Sequence, residues 1–186
     1  MKKLVFVLST MIATVLPVAS PANALTCELG YGLNPATGTC SPVWLDWSSN
    51  DGFTKYAQLG VISSNSDYRS GIRVNYYLDI ICIAKRLSVH IYSGPLGIYA
   101  DANIYGNGSG QVKFDNRKPS SFKYERDKDM DGVWVSDASA FMKKFMTAKS
   151  TVSFKILGID GPAIATFPKT DFNYGISSLR ENGCKV

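Results

Sequence analysis

The hydrophobic pattern divides the chain into three stretches. Residues 4–18 are apolar except at Ser9, Thr10, Thr14 and Pro17. Residues 25–43 show little periodicity and are rich in turn-forming Gly and Pro. From Trp44 onward, apolar residues fall at every second position over short runs. The longest is Ile72, Val74, Tyr76, Leu78, Ile80 and Cys82, alternating with Arg73, Asn75, Tyr77, Asp79 and Ile81. A period of two places these sets on opposite faces of one strand, so a half-buried strand is predicted here. Leu87, Val89 and Ile91 alternate with Arg86, Ser88 and His90, which predicts the next strand, antiparallel to the first, with Ala84-Lys85-Arg86 as the turn.

Further strands are expected at residues 53–62, 99–105, 111–115, 121–126, 132–135, 151–157 and 163–167. Gly106-Asn107-Gly108-Ser109-Gly110 reads as a flexible connection between two of them. Ser136 or Asp137 suits a helix N-cap, followed by Phe141, Phe145 and Ala148 at helical spacing and by Lys143, Lys144 and Lys149, whose charges favour the C-terminal end. Residues 176–182 predict a short closing helix, with Gly183 past its end. Short strands, frequent turns and few helices predict a mainly β chain: an antiparallel β-sandwich with one or two short helices over residues 44–186.

The apolar run at the start changes the picture most. Lys2 and Lys3 precede it, and Ala22-Asn23-Ala24 follows with small residues where a signal peptidase cuts. The run falls short of the roughly 20 residues a membrane-spanning helix needs. Residues 1–24 are therefore expected to be a signal peptide, and the product periplasmic or secreted and not membrane-spanning. Cys27, preceded by Ala24-Leu25-Thr26, is a poor lipid-attachment site because Thr26 is not the small residue expected there. Losing Lys2 and Lys3 lowers the net charge from +5 to +3, too mild for a nucleic-acid binder.

Export gives the four cysteines, Cys27, Cys40, Cys82 and Cys184, an oxidising setting, where an even count implies disulfides. Of the three possible pairings, Cys27–Cys40 with Cys82–Cys184 is favoured. The first would staple residues 25–43 into a small N-terminal segment, and the second would tie a central strand to the C-terminus. No Cys-x-x-Cys occurs and His90 is the sole histidine, so zinc is not expected.

Candidate chemistry is sparse. Asp127-Lys128-Asp129-Met130-Asp131-Gly132 matches the start of a calcium loop, in which Asp127, Asp129 and Asp131 would converge on one ion. The twelfth place, which needs a bidentate Glu, is Ala138, so the motif is a weak calcium candidate, and no other cofactor is expected. His90 is read as an exposed strand histidine without triad partners. Ser109, between Gly108 and Gly110, lacks the nucleophile-elbow spacing. Glutamate occurs only at 28, 125 and 181, leaving Glu125 beside the Asp cluster as the one hydrolase candidate. Trp44, Trp47 and Tyr56 form an aromatic cluster able to bind sugars or a partner protein. Basic residues from Lys113 to Lys155 are interleaved with acids, as on an ordinary solvated surface.

Residues 77–184 carry a family resemblance in the order of their parts. Leu78-Asp79-Ile80-Ile81-Cys82 leads to the strand at 87–92. Then come Val112-Lys113-Phe114-Asp115-Asn116-Arg117-Lys118, Trp134-Val135-Ser136, Ala140-Phe141, Ala165-Thr166-Phe167, and Leu179 five residues before Cys184. This order resembles the type VI secretion-associated periplasmic accessory proteins. The stapled N-terminal segment and Pro168-Lys169-Thr170 depart from the pattern. The resemblance implies an exported accessory or interaction protein, not an enzyme, with a protein partner in the cell envelope. The alternatives are a module binding peptidoglycan or another glycan and, third, an envelope hydrolase.

Overall fold

A computed structural model describes residues 27–34, 38–50, 52, 54–69, 72–93, 100, 102–103, 106–128, 131–158, 161–170 and 172–186. The expected signal peptide at 1–24 lies outside them, as does most of the strand expected at 99–105, of which Ala100 forms an isolated bridge to Gly158. The elements are β1 (Tyr31–Asn34), β2 (Thr39–Pro42), β3 (Leu45–Asn50), β4 (Lys55–Arg69), β5 (Ile72–Ile83), β6 (Arg86–Tyr92), β7 (Asn107–Phe114), β8 (Ser120–Arg126), β9 (Gly132–Val135), α1 (Ala138–Met146), β10 (Thr151–Gly158), β11 (Gly161–Pro168) and α2 (Phe172–Glu181). Among the described residues, β1 and β2 pair only with each other, and the other nine strands form one antiparallel sheet in the order β11-β10-β7-β8-β9-β6-β5-β4-β3.

The alternation read from the sequence sets the faces. Val74, Tyr76, Leu78, Ile80 and Cys82 are buried on the inner face of β5, with Ala57, Leu59 and Val61 beside them on β4 and Val89 and Ile91 on β6. The sheet folds over itself, so the expected sandwich is built from two arms of one continuous sheet. Within β4 the register with β5 shifts between Ile62 and Ser66. A bulge of this kind turns a strand away from its partner. The far half of β4 thereby meets β11, where the Asn65 side chain donates to Ile164 O at 2.7 Å and accepts from Thr166 N at 2.7 Å. Ser64 adds a bond to Thr166 O. Side chains thus supply the hydrogen bonds that a direct ladder between these strands would make.

One contiguous core fills the fold, with Phe154, Ile156 and Phe167 from the second arm, Phe141 and Phe145 from α1, and Phe172 and Leu179 from α2. Asp137 caps α1, its Oδ1 accepting from Ala140 N at 2.8 Å. Both expected disulfides are formed, Cys27–Cys40 and Cys82–Cys184. Among the described residues, no helix is long and apolar enough to cross a membrane.

Two expectations are corrected. The glycine-rich segment at 106–110 is not a flexible connection: Asn107 to Gly110 are the paired first half of β7, and buried Gly110 faces Phe122 across the ladder. The β5–β6 turn is tighter than expected, because Ile83 pairs directly with Arg86 and only Ala84 (φ 47°) and Lys85 (φ 66°) turn the chain. Both lie in the left-handed region that a two-residue hairpin requires. Within the stapled segment, β1 and β2 form a small hairpin, with Leu33 opposite Cys40.

Candidate functional site

The outward positions of β3, β4, β5, β6, β9 and β8 line up in rows across the sheet. One row runs Leu45, Gly60, Asp79, His90, Trp134, Glu125; the next holds Ile62, Tyr77, Tyr92 and Gly132; a third begins Trp47, Gln58, Ile81. Where these rows cross β4 to β6, a cleft of about 310 Å³ opens. Leu29, Gly30 and Val43 of the stapled segment form one wall, and Trp47 on edge strand β3 forms another. The Cys27–Cys40 bridge therefore belongs to the architecture of the cleft.

Asp79 lies in the cleft floor and is only 6% exposed. Gln58 Nε2 donates to its Oδ2 at 2.7 Å, and the Tyr92 hydroxyl donates to the same carboxylate. The Tyr56 hydroxyl in turn donates to Gln58 Oε1, which fixes the amide so that its N–H faces Asp79. Burial pushes the Asp79 carboxyl up to about 6, against the opposing pull of the Tyr92 and Gln58 hydrogen bonds. The same burial, with the nearby Asp79 charge, raises the Tyr92 and Tyr56 phenols. Gly60 makes the arrangement possible, since a methyl group there would stand 2.6 Å from Asp79 Oδ1 and 3.0 Å from Trp47 Cζ3. The carboxylate and the indole edge share the space above one glycine.

Beside the cleft, four rings stack along the sheet. His90 lies 4.0 Å from Trp134 and 4.8 Å from Tyr92 between ring centroids, and Tyr92 lies 5.1 Å from Tyr77, all nearly parallel. His90 is therefore not the exposed strand histidine expected. It does face away from the core, but its aromatic row neighbours cover it, leaving its side chain 12% exposed. Its Nε2 stands 2.9 Å from Asp127 Oδ2. Burial lowers its pKa, and the Asp127 and Asp131 charges oppose that shift.

Asp127 is thus turned towards a histidine. Its backbone N–H bonds Gly132 O, and Asp131 O accepts from Ser93 N, which ties the two ends of the β8–β9 connection to each other and to the end of β6. Asp129 lies outside the described residues. Among the described residues, no group of three or more His, Cys, Asp or Glu side chains is placed to hold a metal ion. Glu125, the hydrolase candidate, stands exposed on the same face opposite Trp134 and away from the cleft walls.

The aromatic candidates divide. Trp44 serves the packing: it meets Phe145 and Phe172 edge-on, and its Nε1–H donates to Pro168 O at 2.9 Å. Trp47, 47% exposed, and Tyr56 stay at the cleft, one as its wall and one behind Gln58. Sequence reading missed Gln58, Gly60, Asp79 and Tyr92. The available signal was Asp79 itself, a carboxylate between Tyr77 and Ile81 on the outward face of a strand whose polar character was fading.

Other hollows carry less chemistry. One of about 270 Å³ lies between α1 and β7–β8 on a floor of Phe114, Phe122 and Phe141, and its polar residues, such as Lys123, Ser136 and Lys144, are exposed. Comparison with protein-family models, with curated proteins and with solved structures found no match for the chain.

Proposed function

We propose that this chain is an exported binding module of the cell envelope, periplasmic or secreted, which engages its partner through the outer-face cleft and does no chemistry of its own. The observation that carries the reading is Asp79. A carboxylate buried to this degree costs stability unless hydrogen-bonded, and here Gln58, Tyr56 and Tyr92 are spent on holding it at the base of an open cleft. Perturbed ionisable groups in clefts mark functional sites. The two disulfides suit an oxidising compartment outside the cytoplasm. The resemblance over residues 77–184 points to the accessory proteins of a secretion apparatus as the setting.

A photo-crosslinking residue at Trp47 tests this in intact cells, with one at Tyr68 as the control. Tyr68 is 70% exposed and does not line the cleft. A discrete adduct at Trp47, absent at Tyr68 and lost with Asp79→Asn, supports the reading; the same adducts from both positions contradict it. A second reading, a glycan-binding module, is favoured by the exposed Trp47 indole beside a carboxylate acceptor, the pairing a sugar ring uses. It requires co-sedimentation with peptidoglycan that Trp47→Ala abolishes.

A further inference from the structure

We infer that the group received by the cleft is an organic ammonium, either a free alkylamine or the side chain of a lysine on a partner protein. This rests on the cleft being the binding site, and it follows from the charges and rings that line it. Asp79 is the only acid among the described lining residues, and none of them is Lys, Arg or His. Gln58 and Tyr92 give the carboxylate neutral hydrogen bonds but no countercharge. His90, its neighbour on β6, turns its Nε2 to Asp127 instead. Among the described lining residues, no cation therefore faces the negative charge at the bottom of the open cleft.

Three aromatic rings, those of Trp47, Tyr77 and Tyr92, line the same space. Ring faces attract an ammonium group brought within about 6 Å of their centroids. A carboxylate or phosphate ligand would meet Asp79 with like charge. A neutral sugar would find the Gln58 N–H and the Tyr92 hydroxyl already committed to Asp79. The charge left uncompensated is negative, and the walls suit alkyl groups around a cation.

The test is a titration of the disulfide-intact protein with tetramethylammonium, n-butylammonium and Nα-acetyl-lysine methylamide, with tert-butanol and sodium chloride as controls. The indole N–H signals of Trp47, Trp44 and Trp134 are followed by NMR. The expected result is a saturable shift confined to Trp47 with the ammonium probes. Affinity should fall tenfold or more in Asp79→Asn, and by about tenfold per pH unit below the midpoint of Asp79 as its carboxyl protonates. Should Asp79→Asn not fold, Trp47→Ala, read through the Tyr77 and Tyr92 ring signals, must weaken binding comparably. The strongest response from the lysine derivative would identify a partner's lysine as the source, and from the simple amines a free amine. Equal shifts with tert-butanol or sodium chloride, or unchanged binding by Asp79→Asn, overturn the inference. A saturable Trp47 shift with a chitooligosaccharide but none with the amines overturns the ammonium and keeps the cleft. Silence of Trp47 towards every probe overturns both.

Discussion

Replacing Asp79 by Asn should change how stability depends on pH. In the folded chain the carboxyl is raised from 3.8 to about 6. Between those values the folded state holds the proton more tightly than the unfolded state does, so this residue favours folding at acid pH. Its contribution is fully present below the ordinary aspartate value, is lost as pH rises through about 6, and is flat above. A difference of roughly two units, at about 1.4 kcal/mol each, makes the ionised carboxylate cost about 3 kcal/mol of stability at neutral pH. Screening removes little of this, because Asp79 is only 6% exposed. The assay is urea unfolding followed by tryptophan fluorescence from pH 4 to 7.5, for wild type and Asp79→Asn. His90 contributes with the opposite sign, since burial lowers its folded value, but both proteins carry it and the comparison between them removes its contribution. Wild type should lose about 2–3 kcal/mol relative to the variant over this range. Parallel profiles would refute the buried-carboxylate reasoning.

Other outcomes follow from the same geometry. Removing Cys82–Cys184, which spans 102 residues, should lower unfolding stability by about 4.7 kcal/mol on the chain-entropy model. Removing Cys27–Cys40, which spans 13, should cost about 3 kcal/mol and release the cleft wall; denaturation midpoints of the paired Cys→Ser variants check both. Trp44→Ala should cost about 3 kcal/mol or more through lost packing on Phe145 and Phe172, whereas exposed Trp47→Ala should stay within about 0.5 kcal/mol. Thermal melts of the two variants separate these roles. Asp115 accepts from the backbone N–H groups of Lys149, Ser150 and Thr151, which hold its carboxyl well below the usual range. Its stabilisation should therefore be present at neutral pH and lost as pH falls below the ordinary aspartate value, so Asp115→Asn should flatten that part of the acid-unfolding curve.

Much of the fold was legible because a period of two is decisive for long strands. Val74 to Cys82 and Val89 to Ile91 could bury their apolar sets in only one way, and Ser136-Asp137 announced a helix start through capping chemistry. Legibility ended where tertiary contacts overrule local signals. Gly106 to Gly110 resembles a linker by composition, yet pairing with β8 makes most of it a strand. Ala84 and Lys85 carry no turn signature, but the adjacent Cys82–Cys184 bridge and the packing of Lys85 against Gly183 fix their left-handed backbone. The site was harder to read still. Trp47 and Tyr56 were singled out by residue type, whereas Asp79 gains its meaning from Gln58, which is 21 residues away in sequence, and from a glycine without which there would be no room for the carboxylate. His90 could be assigned a face but not its neighbours, since Trp134 reaches it only through the β6–β9 register.

The most direct test of the account is the titration of the Asp79 carboxyl by carbon NMR, with and without saturating tetramethylammonium. In the free protein the midpoint should lie near 6, well above the ordinary 3.8. That midpoint should fall when the ammonium binds and stay unchanged with tert-butanol. A midpoint in the ordinary aspartate range, or one that does not respond to the cation, would contradict the account.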